Sequence, residues 1–309
     1  MTPATRLLLL CLTAALPLTG LTAPAATPSR EYRYSPTPAW VTPQNGPTAA
    51  ATREQQSVEF LLVDDQIQLD PTPEEYRRRV LRPLTTVGVE EVSELQLRFN
   101  PAFQTLNIHQ IQVRRGEEVR DLTRSARLRV VHREEQLGEG IQDGEATAIA
   151  ILEDIRAGDI IDYSYSVSGD NPIFGQKRFG FIGLDGNSHV NKLTARLVSS
   201  RQRPLQVRPY NNPGIRVESR DLGADRREYR VTRESIAAVP FEEGTPAWFT
   251  PLSWLEYSEY ADWPEVERWA QQLYAAEARK AGPLFDALYA RLAKAASSPR
   301  SSCGNRKKK

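Results

Sequence analysis

The sequence offers little thiol or metal chemistry. Its 309 residues include two cysteines and three histidines. Cys11 lies in an N-terminal segment that we expect to be removed, so Cys303 is the sole thiol of the mature chain and can form neither an internal disulfide nor a thiolate metal site. The histidines lie on different predicted strands without the spacing of metal ligands: His109, His132 and His189. We therefore expect no metal site, and the sequence indicates no cofactor.

An excess of charge of either sign is also missing. The chain has 40 Lys and Arg residues against 39 Asp and Glu residues, and it becomes formally neutral without Arg6. Binding of nucleic acid requires a concentrated basic surface. The basic residues at the end of the chain belong to a short tail, residues 297–309, which we expect to be disordered and solvated. Nucleic acid is therefore not an expected partner.

The N-terminal apolar run is too short to span a membrane. It reads "LLLLCLTAALPL" at residues 7–18, whereas a spanning helix needs about 20 apolar residues. A basic start, an apolar stretch and a small-residue exit are typical of a secretory signal peptide. We expect cleavage after Ala25 or Ala26, and hence a periplasmic or secreted protein that keeps no transmembrane anchor after cleavage.

The body of the chain has the pattern of a β protein. Residues 26–57 are rich in proline and predict an extended leader. Residues 58–240 contain about ten short alternating stretches between turns, which predicts an antiparallel β-sandwich-like domain. In "IIDYSYSVSG" at residues 160–169, we expect Tyr163 and Tyr165 to face the core and the alternating serines to face solvent.

Local patterns in this domain give sharper predictions. "SVEFLLVDDQIQLD" at residues 57–70 predicts a strand that is interrupted by a turn at Asp64 and Asp65. "PTPEEYRRRVLRPL" at residues 71–84 predicts a turn and a short irregular helical stretch. A slip in the alternation predicts a β-bulge near His109 and Gln110. "DNPIFGQKRFGFIG" at residues 170–183 is interpreted as a loop.

The pattern changes after residue 240. Residues 241–262 predict a Trp-rich linker, and residues 263–296 predict two amphipathic helices, the first of them capped by Asp262. These helices have apolar faces that we expect to be poorly covered. Three aromatic residues form the candidate binding surface, since aromatic rings serve as binding platforms although they often pack between domains: Trp248, Trp254 and Trp263.

Two stretches, "NPAFQTLNIHQIQVRRGEEVRDL" and "LEDIRAGDIIDYSYSVSGDNPIFG", carry a resemblance to a known family. They resemble domain of unknown function 3857, the β-rich N-terminal domain of exported bacterial transglutaminase-like proteins, and the resemblance covers about residues 58–274. The matching features are an aromatic residue before an aliphatic strand, a basic turn with Gly116, the "AGD" turn and an Asn-Pro pair. The resemblance implies a β-sandwich-like domain without known catalytic residues, followed in the family by a papain-like core that uses Cys, His and Asp.

We expect this chain not to be an enzyme. Cys303 is followed by six residues and by no histidine, so a thiolate there lacks a base. Adjacent carboxylates, as at Asp64 with Asp65 and Glu134 with Glu135, are more often solvated charges than an acid–base pair. The resulting hypothesis is a non-catalytic exported β-domain, a truncated fragment of a transglutaminase-like protein whose helical start lies at residues 263–296.

The hypothesis gives this domain a recognition or core-supporting role, and its partners are undetermined. The alternative is a cell-wall module that binds glycan or peptide through the tryptophan cluster from Trp248 to Trp269. An envelope protein and peptidoglycan are accordingly the candidate partners.

Overall fold

Strands dominate the parts of the chain that the structure describes. The computed structural model describes residues 32–45, 56–132, 144–240, 244–246, 249–278 and 282–296. The strands in chain order are β1 (Tyr32–Tyr34), β2 (Val58–Gln68), β3 (Glu74–Pro83), β4 (Glu94–Phe99), β5 (Gln104–Arg115), β6 (Glu118–Asp121), β7 (Arg127–His132), β8 (Ala146–Ile151), β9 (Ile160–Gly169), β10 (Phe179–Gly183), β11 (Val190–Ser200), β12 (Gln206–Tyr210), β13 (Glu218–Leu222), β14 (Arg226–Ile236) and β15 (Trp254–Ser258). The helices are α1 (Thr86–Val92), α2 (Trp263–Ala278) and α3 (Pro283–Ala296).

These strands form three sheets within the described residues. The large sheet has nine strands in the order β1-β5-β9-β3-β2-β11-β14-β13, with β6 also paired to β5. The second sheet is β4-β8-β7 and the third is β10-β15-β12. Pairing is antiparallel except between β1 and β5 and between β2 and β11. The structure thus confirms the predicted mainly β fold class with helices at its C-terminal end.

Both small sheets pack on the same face of the large sheet. Ile67, Glu75 and Val167 lie side by side on β2, β3 and β9, so their side chains share one face. Val167 belongs to a core cluster with residues of β4 and β8, and Ile67 belongs to a second cluster with residues of β10 and β15. The two cores therefore form under the second and third sheets, respectively.

The opposite face of the large sheet is mainly polar, although Tyr76 and Val80 are buried on it. The tyrosines of β9 lie on the core face: Tyr165 is buried in the first core and Tyr163 packs against that core, which confirms the prediction that both face the core. Ser164 and Ser166 are buried as well, so the expectation of a solvated face is wrong. The leader crosses this face: Ser166 Oγ donates to Glu74, which in turn accepts a hydrogen bond from the indole of Trp40.

Two local predictions in the large sheet are wrong. Strand β2 continues through Asp64 and Asp65 without a turn, and residues 74–83 form strand β3 in place of an irregular helix. The reason is long-range pairing of charge. Arg79 forms a bidentate ion pair with Asp65 at 2.7 and 2.9 Å, and Arg78 forms one with Asp162 at 2.9 and 2.7 Å.

Two other local predictions are confirmed. The register between β5 and β9 shifts between Ile108 and Gln110, which is the predicted bulge. Helix α2 begins at Trp263, where Asp262 Oδ1 accepts a hydrogen bond from the Glu265 amide at 2.9 Å. This is the geometry of an N-terminal cap.

The C-terminal helices leave apolar side chains exposed. Five large apolar side chains of α3 are at least half exposed, namely Leu284, Phe285, Leu288, Tyr289 and Leu292, and Leu284 is 89% exposed. None of the helices in the described ranges is long and apolar enough to cross a membrane. Strand β15 lies inside the range predicted as a linker, and it is the middle strand of the third sheet.

Candidate functional site

The third sheet has one face in the second core and one face in solvent. Leu255 and Tyr257 of β15 are buried, whereas the alternate residues Trp254, Glu256 and Ser258 lie on the outer face. Cross-strand pairing adds residues of β10 and β12 to this face. We use the term aromatic face for four of its side chains: Phe179, Phe181, Tyr210 and Trp254.

The rings of the aromatic face are ordered against one another. Trp254 stacks on Tyr210 with ring centroids 4.2 Å apart and an interplanar angle of 18°. Phe181 lies on β10, the neighbour of β15 opposite to β12. Its ring centroid is 6.1 Å from that of Trp254, and the residue is 70% exposed. A groove of about 550 Å³ runs along Phe179, Phe181 and Trp254. Exposed apolar surface held on a rigid sheet is typical of a site that binds another surface.

Two glycines of β10 shape this site. Gly180 points inward, where a Cβ atom would lie 2.7 Å from the hydroxyl oxygen of the buried Tyr257. Gly183 points outward and pairs with Trp254, and a Cβ atom there would meet nothing within 4 Å. No side chain therefore projects from β10 directly beside Trp254 on the outer face.

Polar groups lie between and beside the rings. Glu256 is flanked by Phe181 and Arg208 on the neighbouring strands, and both charged side chains are exposed. At the rim, the amide of Asn211 donates to the carbonyls of Thr250 and Leu252 at 2.7 and 3.0 Å, which fixes the loop that lines the groove. The face thus combines stacking surface with one acidic and one basic group.

Helix α2 is attached beside the aromatic face by a second group of rings. Trp269 donates to the Ile173 carbonyl at 3.0 Å and packs on Phe174 at 5.3 Å, and Phe174 contacts Phe179 at 4.8 Å. Lys177 pairs with Glu265 of α2 at 2.6 Å and lowers the pKa of that carboxyl. Trp269 is therefore a packing residue in this structure.

The predicted site residues have different positions. Trp254 lies in the aromatic face. The rings that contact Trp254 are those of Tyr210 and Phe181. Trp263 lies at the start of α2 and is 83% exposed. Trp248 lies outside the described residues, as do Cys303, Glu134 and Glu135.

Sequence reasoning missed Phe181 and Tyr210. It interpreted residues 170–183 as a loop, whereas residues 179–183 form β10. The alternating "FGFIG" was the available signal for a strand, because it places two aromatic rings on one face.

The carboxylate pair on β2 is not an acid–base pair. Asp64 and Asp65 point to opposite faces of the strand. Burial raises the pKa of Asp64 to about 6, and its carboxylate accepts from the Gln66 amide at 3.0 Å. Asp65 is engaged by Arg79. Each carboxylate therefore interacts with a different partner on a different face of the sheet.

The histidines do not come together in the structure. His109 lies on β5 between Ser35 and Ser166, His132 ends β7 and His189 precedes β11. Within the ranges that the structure describes, no three His, Cys, Asp or Glu side chains are placed to hold a metal ion.

Comparison with known proteins identifies the class of this mainly β domain. The model of the family known as domain of unknown function 3857 (DUF3857), which has a solved structure, matches residues 70–240. This is more than half of the chain, and the chain belongs to this family. No curated protein is similar enough to the chain to count as a match.

A solved structure has the same fold. It is the crystal structure of a protein from Parabacteroides distasonis ATCC 8503 that is described as a putative protease, and it superposes with a TM-score of 0.59 at 19% sequence identity. The alignment covers 66% of this chain and 41% of that chain. The likeness concerns the fold, and less than half of the longer chain takes part in it.

Proposed function

We propose that this domain is a non-catalytic recognition module of an exported protein, and that it binds a partner polypeptide through the aromatic face. The observation that carries the proposal is the group of three rings on the outer face of the third sheet, in which a half-buried Trp254 contacts the exposed rings of Tyr210 and Phe181. Trp and Tyr at the centre of a contact commonly provide most of its binding energy. Glu256 and Arg208 supply the charges that orient such a contact.

The partner we propose is a catalytic domain of the transglutaminase or protease type. In the protein from Parabacteroides distasonis, the shared fold is part of a longer chain that is described as a putative protease. The resemblance to the N-terminal domain of transglutaminase-like proteins supports the same arrangement. In this proposal the domain positions the partner or its substrate, and the chemistry belongs to the partner.

One observation favours a second candidate function, binding of a cell-wall glycan. The cross-strand neighbour of Trp254 on β10 is Gly183, which has no side chain, so the aromatic rings lie beside both a gap and the hydrogen-bonding group of Glu256. Sugar rings can stack on such a surface. The partner in that case is peptidoglycan.

Oxidative footprinting in the producing cells tests the proposal. Hydroxyl radicals label exposed aromatic rings, so we expect Phe181, Tyr210 and Trp254 to be labelled several-fold less in cells than in the purified protein. Trp263, which is more exposed than any of them, serves as the internal control. Equal labelling of the aromatic face in both samples contradicts the proposal.

Co-sedimentation with purified peptidoglycan separates the two candidates. If the polypeptide is the partner, the protein stays in the supernatant. Sedimentation that is lost in Trp254→Ala and kept in Trp263→Ala would establish the glycan function in place of the proposed one.

A further inference from the structure

The leader lies across the polar face of the large sheet. We call residues 32–45 the strap. Its first residues pair in parallel with β5 through β1, and its later residues cross toward β2 and β11. This face is opposite to the one that the two small sheets cover, and only the first residues of the strap, Tyr32 and Tyr34, pack against the first core.

The sheet binds the strap mainly through the main chain of the strap. The side-chain amide of Gln66 accepts from the Thr42 N–H at 3.0 Å and donates to the Thr42 carbonyl at 2.8 Å. Arg78 donates to the Gln44 carbonyl and Arg196 donates to the Trp40 carbonyl, each at 2.9 Å. Every extended polypeptide presents such groups, so these contacts do not depend on the sequence bound.

The contact of the Trp40 side chain does depend on sequence, as do those of Ser35 with His109 and of Tyr34 with Arg124 nearer the start of the strap. The indole N–H of Trp40 donates to Glu74 Oε2 at 2.7 Å. A tryptophan followed two positions later by a residue with a free N–H and carbonyl is therefore the pattern that this face recognises.

The binding groups are held in place by partners outside the strap. Gln66 donates to Asp64 and accepts from Arg196 at 3.2 Å, and Arg196 is paired with Glu228. Asp162 holds Arg78, and Ser166 donates to Glu74 at 2.7 Å. Such preorganisation lowers the entropic cost of binding a segment.

Beyond Tyr32 and Tyr34, which pack against the first core, the strap is held with little burial of apolar surface. Of its residues, Val41 alone is buried. Openings of about 500 Å³ and about 900 Å³ adjoin it, the first at Tyr34 and His109 and the second at Trp40 and Asp70. Lifting residues 36–45 would expose mostly polar groups, which water can solvate.

We infer that the polar face of the large sheet is a binding groove for an extended polypeptide segment that carries a tryptophan. Residues 32–45 occupy this groove in the free chain, and a partner segment of the same chemistry replaces them. This site is on a different face from the aromatic face and does not depend on the function proposed for it.

Peptide binding to the full chain tests the inference. The probe is a fluorescein-labelled peptide of residues 32–45, measured by fluorescence anisotropy. The strap in the same chain competes at an effective concentration in the millimolar range, so we expect weak binding to the unchanged protein. Trp40→Ala removes the specific contact of the strap and should bind the peptide at least about tenfold more tightly, because one such hydrogen bond is worth about 1.4 kcal/mol.

Two matched controls make the result decisive. Thr37→Ala changes an exposed strap residue and should bind the peptide as weakly as the unchanged protein. A peptide N-methylated at the Thr42 position cannot donate to Gln66 and should bind Trp40→Ala about tenfold more weakly, with no change in the protein. No peptide binding to a Trp40→Ala protein that circular dichroism shows to be folded overturns the inference, and so does equal binding of the N-methylated peptide.

Discussion

At the scale of residues, two neighbouring carboxylates on β2 have opposite energetic roles. Asp65 faces Arg79 in a bidentate ion pair at 2.7 and 2.9 Å. Asp64 is buried on the other face, where the Gln66 amide is its hydrogen-bond donor. Its burial disfavours the charged form and raises its pKa from 3.8 to about 6. The ionised Asp64 thus orients Gln66 for the strap at a cost in stability.

This cost predicts a pH dependence that Asp64→Asn should remove. Between about pH 4 and pH 6 the folded protein binds a proton that the unfolded chain does not, so stability falls as pH rises through this window. A difference of about two pKa units corresponds to about 3 kcal/mol at most. We expect Asp64→Asn to unfold at a higher temperature than the unchanged protein at pH 7.5, and to differ little from it at pH 4.

Asp65→Asn is the matched control for that measurement. It breaks the ion pair with a half-buried Arg79 and should lower the unfolding temperature at pH 7.5. If thermal unfolding of Asp64→Asn keeps the full pH dependence between pH 4 and pH 6, the assignment of that dependence to Asp64 is wrong.

At the scale of elements, some features follow from the local sequence pattern, whereas others form only through pairing with residues far away in the sequence. The alternation around Tyr163, the bulge after Ile108 and the cap at Asp262 could be predicted, because each depends on a few neighbouring residues. Strand β3 could not, because three consecutive arginines become a central strand only through partners such as Asp162, 84 residues away. Partners at such a separation cannot be identified from the local sequence pattern.

Likewise, only part of the candidate site could be predicted from the sequence. Trp254 could be proposed from its neighbouring tryptophans in the sequence. Its ring partners Tyr210 and Phe181 come from two other strands of the third sheet, 44 and 73 positions earlier in the sequence. The cross-strand register that joins them is a property of the folded sheet.

Two tryptophans of α2 provide a prediction at this scale. Trp269 packs on Phe174 and donates to the Ile173 carbonyl, whereas Trp263 is almost fully exposed. We expect Trp269→Ala to increase amide hydrogen exchange in α2 at least tenfold, because the helix loses its attachment to the third sheet. Trp263→Ala should leave exchange in α2 and the unfolding temperature nearly unchanged.

Hydrogen exchange monitored by mass spectrometry measures both variants. Exchange in β2 and β3 is the internal reference, since these strands lie in the middle of the large sheet. Equal exchange of α2 in the two variants would show that the Trp269 contacts do not hold the helix.

At the scale of the whole molecule, each face of the large sheet is covered in a different way. Two small sheets cover one face with apolar cores, and the strap covers part of the other face with polar contacts. The aromatic face then lies on the outer side of the third sheet, beyond the second core. A stable framework therefore presents two surfaces of different chemistry, one aromatic and one that binds main-chain groups.

Site-specific photo-crosslinking from the aromatic face tests the central claim most directly. A photoreactive phenylalanine analogue at position 181 replaces an exposed ring by a similar one, and the same analogue at position 119, an exposed residue of β6, is the control. In the producing cells the account predicts one discrete crosslinked polypeptide from position 181 and none from position 119, with mass spectrometry identifying it as a catalytic domain. The same products from both positions, or none from position 181, would contradict the account.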